Sequence, residues 1–185
     1  MATNDRGIAL YYATHDGQAR RIAEHICGRL AESGPLVPPQ DVAVAKPTPD
    51  DLAAAALIVL VAAVRYGRHL PEADRFLATY RSLASPPPLA LASINLTARK
   101  PEKTTATGNA YLRKTVARHG LTPALAVAFA GRLDYQRYSW RDRQIIRFIM
   151  LLTGGPTDPG TQIEHTPWDA VDDFADRIAA LRRQS

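Results

Sequence analysis

The sequence predicts an α/β fold, with one parallel sheet covered by helices on both faces. Three observations point to it. Short apolar strand-like runs alternate with amphipathic helical stretches along most of the chain. The run Leu57–Ala63 is apolar throughout, as in a strand buried on both faces of a parallel sheet. The length, 185 residues with 46% hydrophobic and 22% charged side chains, suits one domain with a substantial core.

The elements follow in order. Ile8–Tyr12 is a short apolar, aromatic-rich run and reads as a buried strand. A turn at Thr14–Gly17 leads into a helix whose apolar face is Ile22, Ala23, Ile26 and Leu30, with Gly34 placed to end it. Val42–Val44 reads as a weak strand between Pro-containing loops, and Leu57–Ala63 as a central one. Pro71 opens a helix at its first turn, with Phe76, Leu77, Tyr80 and Leu83 on one face. Leu89–Ile94 is a strand after the stop at Pro86-Pro87-Pro88. A polar, basic stretch runs from Asn95 to Asn109, a helix from about Ala110 to His119 before Gly120, and a further strand over Ala124–Ala130. The alternation then breaks, and residues 132–161 read as an insertion. A short strand near Gln162–His165 precedes a final helix, with Thr166 as N-cap, Pro167 at its first position and an apolar stripe of Trp168, Val171, Phe174, Ala175, Ile178 and Leu181.

Parallel sheets of this kind bind ligands at the carboxyl ends of strands, where the winding direction switches. That rule alone selects the loops Thr14–Ala19, Val64–Gly67 and Asn95–Arg99. The first is a hydroxyl-bearing, Gly-containing turn entering a helix, a place where backbone N–H groups and a positive dipole end suit a phosphate. It carries neither G-x-G-x-x-G nor G-K-[ST], and an ordinary capped turn is the alternative. Tyr66 beside Gly67 suits stacking on a flat ring, or a plain surface turn. Asn95 and Thr97 offer side chains and backbone groups to the polar edge of a heterocycle, or form part of a solvated basic loop.

Charge is unevenly placed. The formal net charge is +5, yet residues 1–94 hold 9 basic and 9 acidic side chains, and residues 95–147 hold 11 basic and 3 acidic. A neutral body therefore carries one basic segment, which attracts nucleic acid, anionic lipid or an anionic small molecule. No helix-turn-helix or zinc module is matched, so nucleic acid is not an expected partner. The single cysteine, Cys27, excludes an internal disulfide and fits a reducing, cytoplasmic compartment. It reads as a packed thiol. The histidines His25, His69, His119 and His165 show no ligand spacing, and no metal site is read. No signal peptide is read, and the uncharged stretch Leu52–Val64 is too short to span a bilayer.

Several stretches together carry a resemblance. They are T-H-D-G-Q at Thr14–Gln18, R-Y-G at Arg65–Gly67, N-L-T-A-R-K-P-E-K at Asn95–Lys103 and Y-Q-R-Y-S-W-R-D-R at Tyr135–Arg143, with Gly154-Gly155 and the T-P-W of Thr166–Trp168. In this order they resemble the flavodoxin-like, quinone-dependent protoporphyrinogen oxidases of bacterial haem synthesis. The resemblance implies a flavodoxin-like three-layer sandwich, with a five-stranded parallel sheet of order 2-1-3-4-5 and the insertion near its last strand. It implies noncovalent FMN, with Thr14, His15, Asp16, Gly17, Gln18 and Ala19 around the phosphate. Val64, Arg65, Tyr66 and Gly67, and Ser93, Ile94, Asn95, Leu96, Thr97 and Ala98, would flank the ring.

The implied activity is oxidation of protoporphyrinogen IX to protoporphyrin IX. Six electrons leave, so the flavin cycles three times between substrate and a membrane quinone, ubiquinone or menaquinone. The flavin carries the redox chemistry, and no side-chain catalytic base is assigned. Substrate carboxylates need cations; Arg99, Lys100, Lys103 and Arg137 are the candidates, with Tyr135, Tyr138 and Trp140 packing on the macrocycle or on the sheet edge. Two positions depart from the family pattern: Ala19 stands where Thr is usual, and His15 where an Arg-like residue is usual. Asp16 is electrostatically odd beside a phosphate and suits a helix-capping role instead.

A helix over residues 140–152 would place Ile145, Phe148, Ile149 and Leu152 on one face, with Arg143 and Arg147 opposite. Such a helix can lie in a membrane interface, each basic residue adding about 1 kcal/mol near an anionic surface. That makes the protein peripheral on the inner (cell) membrane, where the quinone resides; packing on the sheet or in a homo-oligomer contact is the alternative. Two other functions remain open: a flavodoxin-like electron carrier, against which the basic segment argues, and another FMN-dependent quinone reductase.

Overall fold

The structure, a computed structural model, describes residues 7–31, 36, 38–134, 144–145, 148, 151 and 162–184. Five parallel strands form its centre: β1 (Ile8–Ala13), β2 (Gln40–Asp41), β3 (Leu57–Arg65), β5 (Leu89–Ile94) and β6 (Leu125–Phe129). They lie in the order β2-β1-β3-β5-β6. This is the expected order of parallel strands. A sixth strand, β4 (Arg68–His69), pairs antiparallel with the end of β3, an addition that the sequence reading lacked. A separate antiparallel pair, β7 (Arg132–Asp134) with β8 (Gln162–Glu164), stands at the two ends of the segment read as an insertion.

The helices α1 (Gln18–Leu30), α2 (Val42–Ala45), α3 (Pro49–Ala53), α4 (Pro71–Arg81), α5 (Ala110–Arg118) and α6 (Trp168–Gln184) accompany the strands. Alternation along each strand sends side chains to opposite faces. Ile8, Leu10, Val59 and Val61 pack with Ile22, Ile26, Phe174 and Ile178 of α1 and α6. Tyr11, Ile58, Leu60 and Leu91 pack with Leu52, Phe76, Leu77 and Leu112 of α3, α4 and α5. Burying both faces explains why the first six residues of β3 are all apolar and all inaccessible. Cys27 is half-buried against the first of these clusters, and burial pushes its thiol pKa up.

Three local expectations are corrected. Val42–Val44 is not a strand but the body of α2. The Asp41 side chain accepts a hydrogen bond from the Ala43 N–H at 2.9 Å, and that cap turns the chain into a helix directly after the two-residue β2. Val44 is consequently 81% exposed. Thr166 does not cap α6. The helix begins at Trp168, the Val171 N–H bonds the Pro167 carbonyl, and the Thr166 hydroxyl instead donates to the Ala130 carbonyl at 3.1 Å. Asp16 does not cap α1, whose N-cap is Gly17 with no side-chain acceptor. Gly34, expected to end α1, lies outside the described residues.

Helices α1 and α6 are tied along their exposed edge. Arg29 donates twice to Asp176 at 3.0 Å, and His25 Nε2 lies 2.7 Å from Asp172. Two of the scattered histidines thus have structural partners: His25 in this seam, and His119 against Asp74 at 3.0 Å.

Candidate active site

The loops after β1, β3 and β5 converge on one cleft, joined there by the loop after β6. Thr14, His15, Asp16, Gln18, Ala19, Val64, Arg65, Tyr66, Gly67, Ile94, Asn95, Leu96 and Thr97 all line it. These positions come from three separate stretches of sequence, and parallel pairing of β1, β3 and β5 brings their carboxyl ends together.

One end of the cleft is the N-terminus of α1. Gly17 takes a left-handed conformation, φ 85°, and its N–H bonds the Thr14 hydroxyl oxygen at 3.0 Å. The turn therefore depends on a residue without a Cβ penalty and on one local hydroxyl acceptor. No side chain caps the helix, and its first turn contains no acidic residue. The leading N–H groups of a helix have no acceptor within it, and with the helix dipole they favour an anion. This end fits the phosphate of a flavin nucleotide. Gln18, although at the cleft, turns its amide to Thr166 Oγ1 at 2.8 Å and Glu164 Oε1 at 2.9 Å. Arg21 donates to the same carboxylate at 3.0 Å. Gln18 thus fastens the first loop to the segment leading into α6.

The other end is flatter and more aromatic. β3 runs on past the sheet, turns at Tyr66-Gly67 and returns as β4, with Arg65 opposite Arg68. Both tip residues have positive φ, 51° and 80°, as a two-residue hairpin of type I′ requires. That conformation is unfavourable for Tyr66, and such strain collects at functional sites. Tyr66 is 56% exposed, and the Arg65 guanidinium sits 5.0 Å from its ring centroid. The facing wall is Ile94, Leu96 and Thr97. An apolar slot with an exposed aromatic edge fits a planar heterocycle.

Not every expected residue faces this cleft. Ser93 is inaccessible, and its hydroxyl is bonded to His69 and Asn95. Ala98 is buried in the core cluster beneath α4 and α5. Asn95 reaches the lining but is only 5% exposed, and its amide is committed to Ser93, Thr97 and Asn109. Its side chain is structural, and Ile94, Leu96 and Thr97 are the other residues by which this loop lines the cleft. Gly17 shapes its loop from behind the lining. Arg99 and Lys103 lie in the short turns Leu96–Arg99 and Pro101–Lys103, with Lys100 between the two, and none of the three lines the cleft. Tyr135, Arg137, Tyr138 and Trp140 are outside the described residues.

Five lining residues were not anticipated as cleft residues: Ala63, Tyr111, Gly131, Arg132 and Ile145. Gly131 and Arg132 follow β6, and the strand-end rule applied to that strand would have named them. Ile145 was assigned to the apolar face of the insertion helix. Of that helix, Gln144, Ile145, Phe148 and Leu151 are described; all are helical and exposed, Phe148 at 62% and Leu151 at 70%. Among the described residues no helix is long and apolar enough to cross a membrane.

A flavodoxin-domain model matches residues 9–160, so the fold and cleft are those of a flavodoxin-domain protein, for which a flavin is the indicated cofactor. A solved flavodoxin from Streptococcus pneumonia TIGR4 superposes with a TM-score of 0.54, at 11% identity, over 94% of this chain and 97% of that one. Curated relatives are more specific. A protoporphyrinogen IX dehydrogenase [quinone] from Leishmania major is 38% identical over 98% of this chain and 78% of its own. One of the same name from Escherichia coli K12 is 34% identical over 93% and 94% respectively. The chain belongs to the flavodoxin-like family of quinone-dependent protoporphyrinogen IX dehydrogenases, which are oxidoreductases.

Proposed function

We propose that the protein holds FMN in this cleft and oxidises protoporphyrinogen IX to protoporphyrin IX, passing the electrons to a membrane quinone in haem synthesis. The observation carrying this reading is the pairing of an uncapped helix N-terminus with an apolar, aromatic-edged slot in one cleft, in a chain whose curated relatives bear that enzyme's name. When bound, the flavin supplies two-electron transfer. The chain's residues supply position and field. The first turn of α1 meets the phosphate, Gly17 and Thr14 hold that turn open, and Tyr66 and Leu96 border the ring. Arg65 and Arg132 are the lining residues whose guanidinium groups match substrate carboxylates. Asp16, beside His15 at 3.8 Å, is the lining carboxylate.

The quinone end of the reaction rests on the insertion. Ile145 both lines the cleft and is exposed, and Phe148 and Leu151 are exposed apolar residues further along the same stretch. A protein lying on the inner membrane through residues 140–152 would present the cleft to quinone, either ubiquinone or menaquinone, without a spanning segment.

The test is an anaerobic assay with FMN-loaded protein, protoporphyrinogen IX and a soluble quinone. Porphyrin fluorescence should rise only when quinone is added. Flavin bound but no porphyrin formed, together with one-electron exchange with a reductase, would favour an electron carrier instead.

A further inference from the structure

Polar side chains are almost absent from the interior, and where they are buried they lie beneath the cleft. Six polar or charged residues are buried among the described residues, and five of them, His69, Ser93, Asn95, Asn109 and Thr115, form one hydrogen-bonded chain. The sixth, Thr166, bonds Gln18 at the other end of the same cleft. Buried polar groups need partners and gain nothing over apolar packing unless their directionality is used.

The order of the chain shows what it joins. Thr115 Oγ1, on α5, lies 2.8 Å from His69 Nδ1, at the base of the Tyr66 hairpin. His69 Nε2 lies 2.9 Å from Ser93 Oγ, at the end of β5. The Ser93 hydroxyl oxygen accepts from Asn95 Nδ2 at 3.0 Å, and Asn95 Oδ1 accepts from Thr97 Oγ1 at 2.6 Å and from Asn109 Nδ2 at 3.1 Å. Asn109 Oδ1 caps α5 by accepting from the Tyr111 and Leu112 N–H groups. Both ends of the chain thus return to α5. Between them it passes through the base of the second loop and through the third, the two loops that border the slot. The Asn95 N–H also bonds the Phe129 carbonyl at 3.0 Å, so β6 holds the start of the third loop, and the buried side-chain bonds tie that loop to the base of the hairpin. Two hydroxyls serve the ring nitrogens of His69, and each can donate or accept, so the neutral imidazole is satisfied in either tautomer.

We infer that His69 is the positioning residue of the flavin-ring slot: through Ser93 and Thr115 it sets the distance between the Tyr66 hairpin and the Asn95–Thr97 loop. This rests on the reading of the cleft as a flavin site. His69 itself is buried and does not line the cleft; it acts through the loops it joins.

The experiment compares wild type with His69→Phe, His69→Gln and Ser93→Ala, titrating each apoprotein with FMN and with riboflavin by flavin fluorescence. Melting of the apoproteins is followed alongside. His69→Phe should weaken both ligands at least tenfold and by the same factor, because they share the ring and differ at the phosphate. His69→Gln, which can keep one of the two bonds, should recover part of the loss. The bound flavin's visible spectrum should shift toward that of free flavin. A purely structural role would lower melting temperature alone and leave affinities measured well below melting within twofold of wild type; that result overturns the inference and leaves the flavin reading intact. If His69→Phe does not fold, Ser93→Ala carries the same comparison. No flavin binding by wild type would overturn both.

Discussion

The two ends of the cleft are built by different means. The end proposed for the phosphate is built from backbone N–H groups of α1, held by one left-handed glycine and one local hydroxyl, and the side chain of Gln18 is spent on Thr166 and Glu164. The end proposed for the ring is lined mainly by side chains, and a buried polar chain joins the loops that carry them. A helix terminus is rigid by construction, so it needs little support. Two loop tips beyond the sheet edge are not, and they draw on directional bonds that the apolar core cannot supply.

The largest effect that tests this contrast is the pH dependence of stability through His69. Burial pushes its imidazole down to about 4, Asp74 working against that and Arg118 and His119 with it. The unfolded chain takes up a proton near pH 6.5 that the folded one refuses. The contribution is therefore complete above pH 6.5, falls as the pH drops, and is exhausted near pH 4, a span of about 3 kcal/mol. Urea unfolding of wild type and His69→Gln at pH 7 and pH 4.5 should show this extra loss in wild type only. Parallel losses would place the acid sensitivity elsewhere.

Next in size is Gly17→Ala. A Cβ at φ 85° is strained even though it meets no neighbour, and the cost is about 1–2 kcal/mol. FMN affinity should fall more than riboflavin affinity, because the altered turn lies at the phosphate end. Equal losses would mean that the two ends are not separable.

Tyr66→Asn should move stability the other way. Asparagine tolerates positive φ, so relief of the hairpin strain should raise stability by up to about 1 kcal/mol while ring affinity drops. Thermal melting and flavin titration on the same samples check both signs. The smallest effect is expected at the α1–α6 seam. Asp176→Asn removes an exposed pair with Arg29 and should leave the melting temperature unchanged within error.

The legible parts of the fold were those written in continuous stretches. β1, β3 and β5 are apolar runs, and α4 announces itself with Pro71 at its first position. β2 was misread because two strand residues are followed by an apolar Val-Ala-Val that Asp41 turns into a helix. Three of the loops lining the cleft were legible because strand ends converge in any parallel sheet. The direction of a side chain within a loop was not. Ser93 and Asn95 carry the polarity expected of ligand contacts, yet they bond to His69 and Asn109, partners that only the folded chain brings near. Tyr111, which lines the cleft from the start of α5, had no sequence signal pointing to it.

The most direct test of the account is the quinone stoichiometry of anaerobic porphyrin formation by the FMN-loaded protein. Six electrons per porphyrin and two per quinone require three quinone molecules reduced for each protoporphyrin IX formed, and the account predicts that ratio. Flavin-loaded protein that forms no porphyrin, or forms it with no quinone consumed, would contradict it.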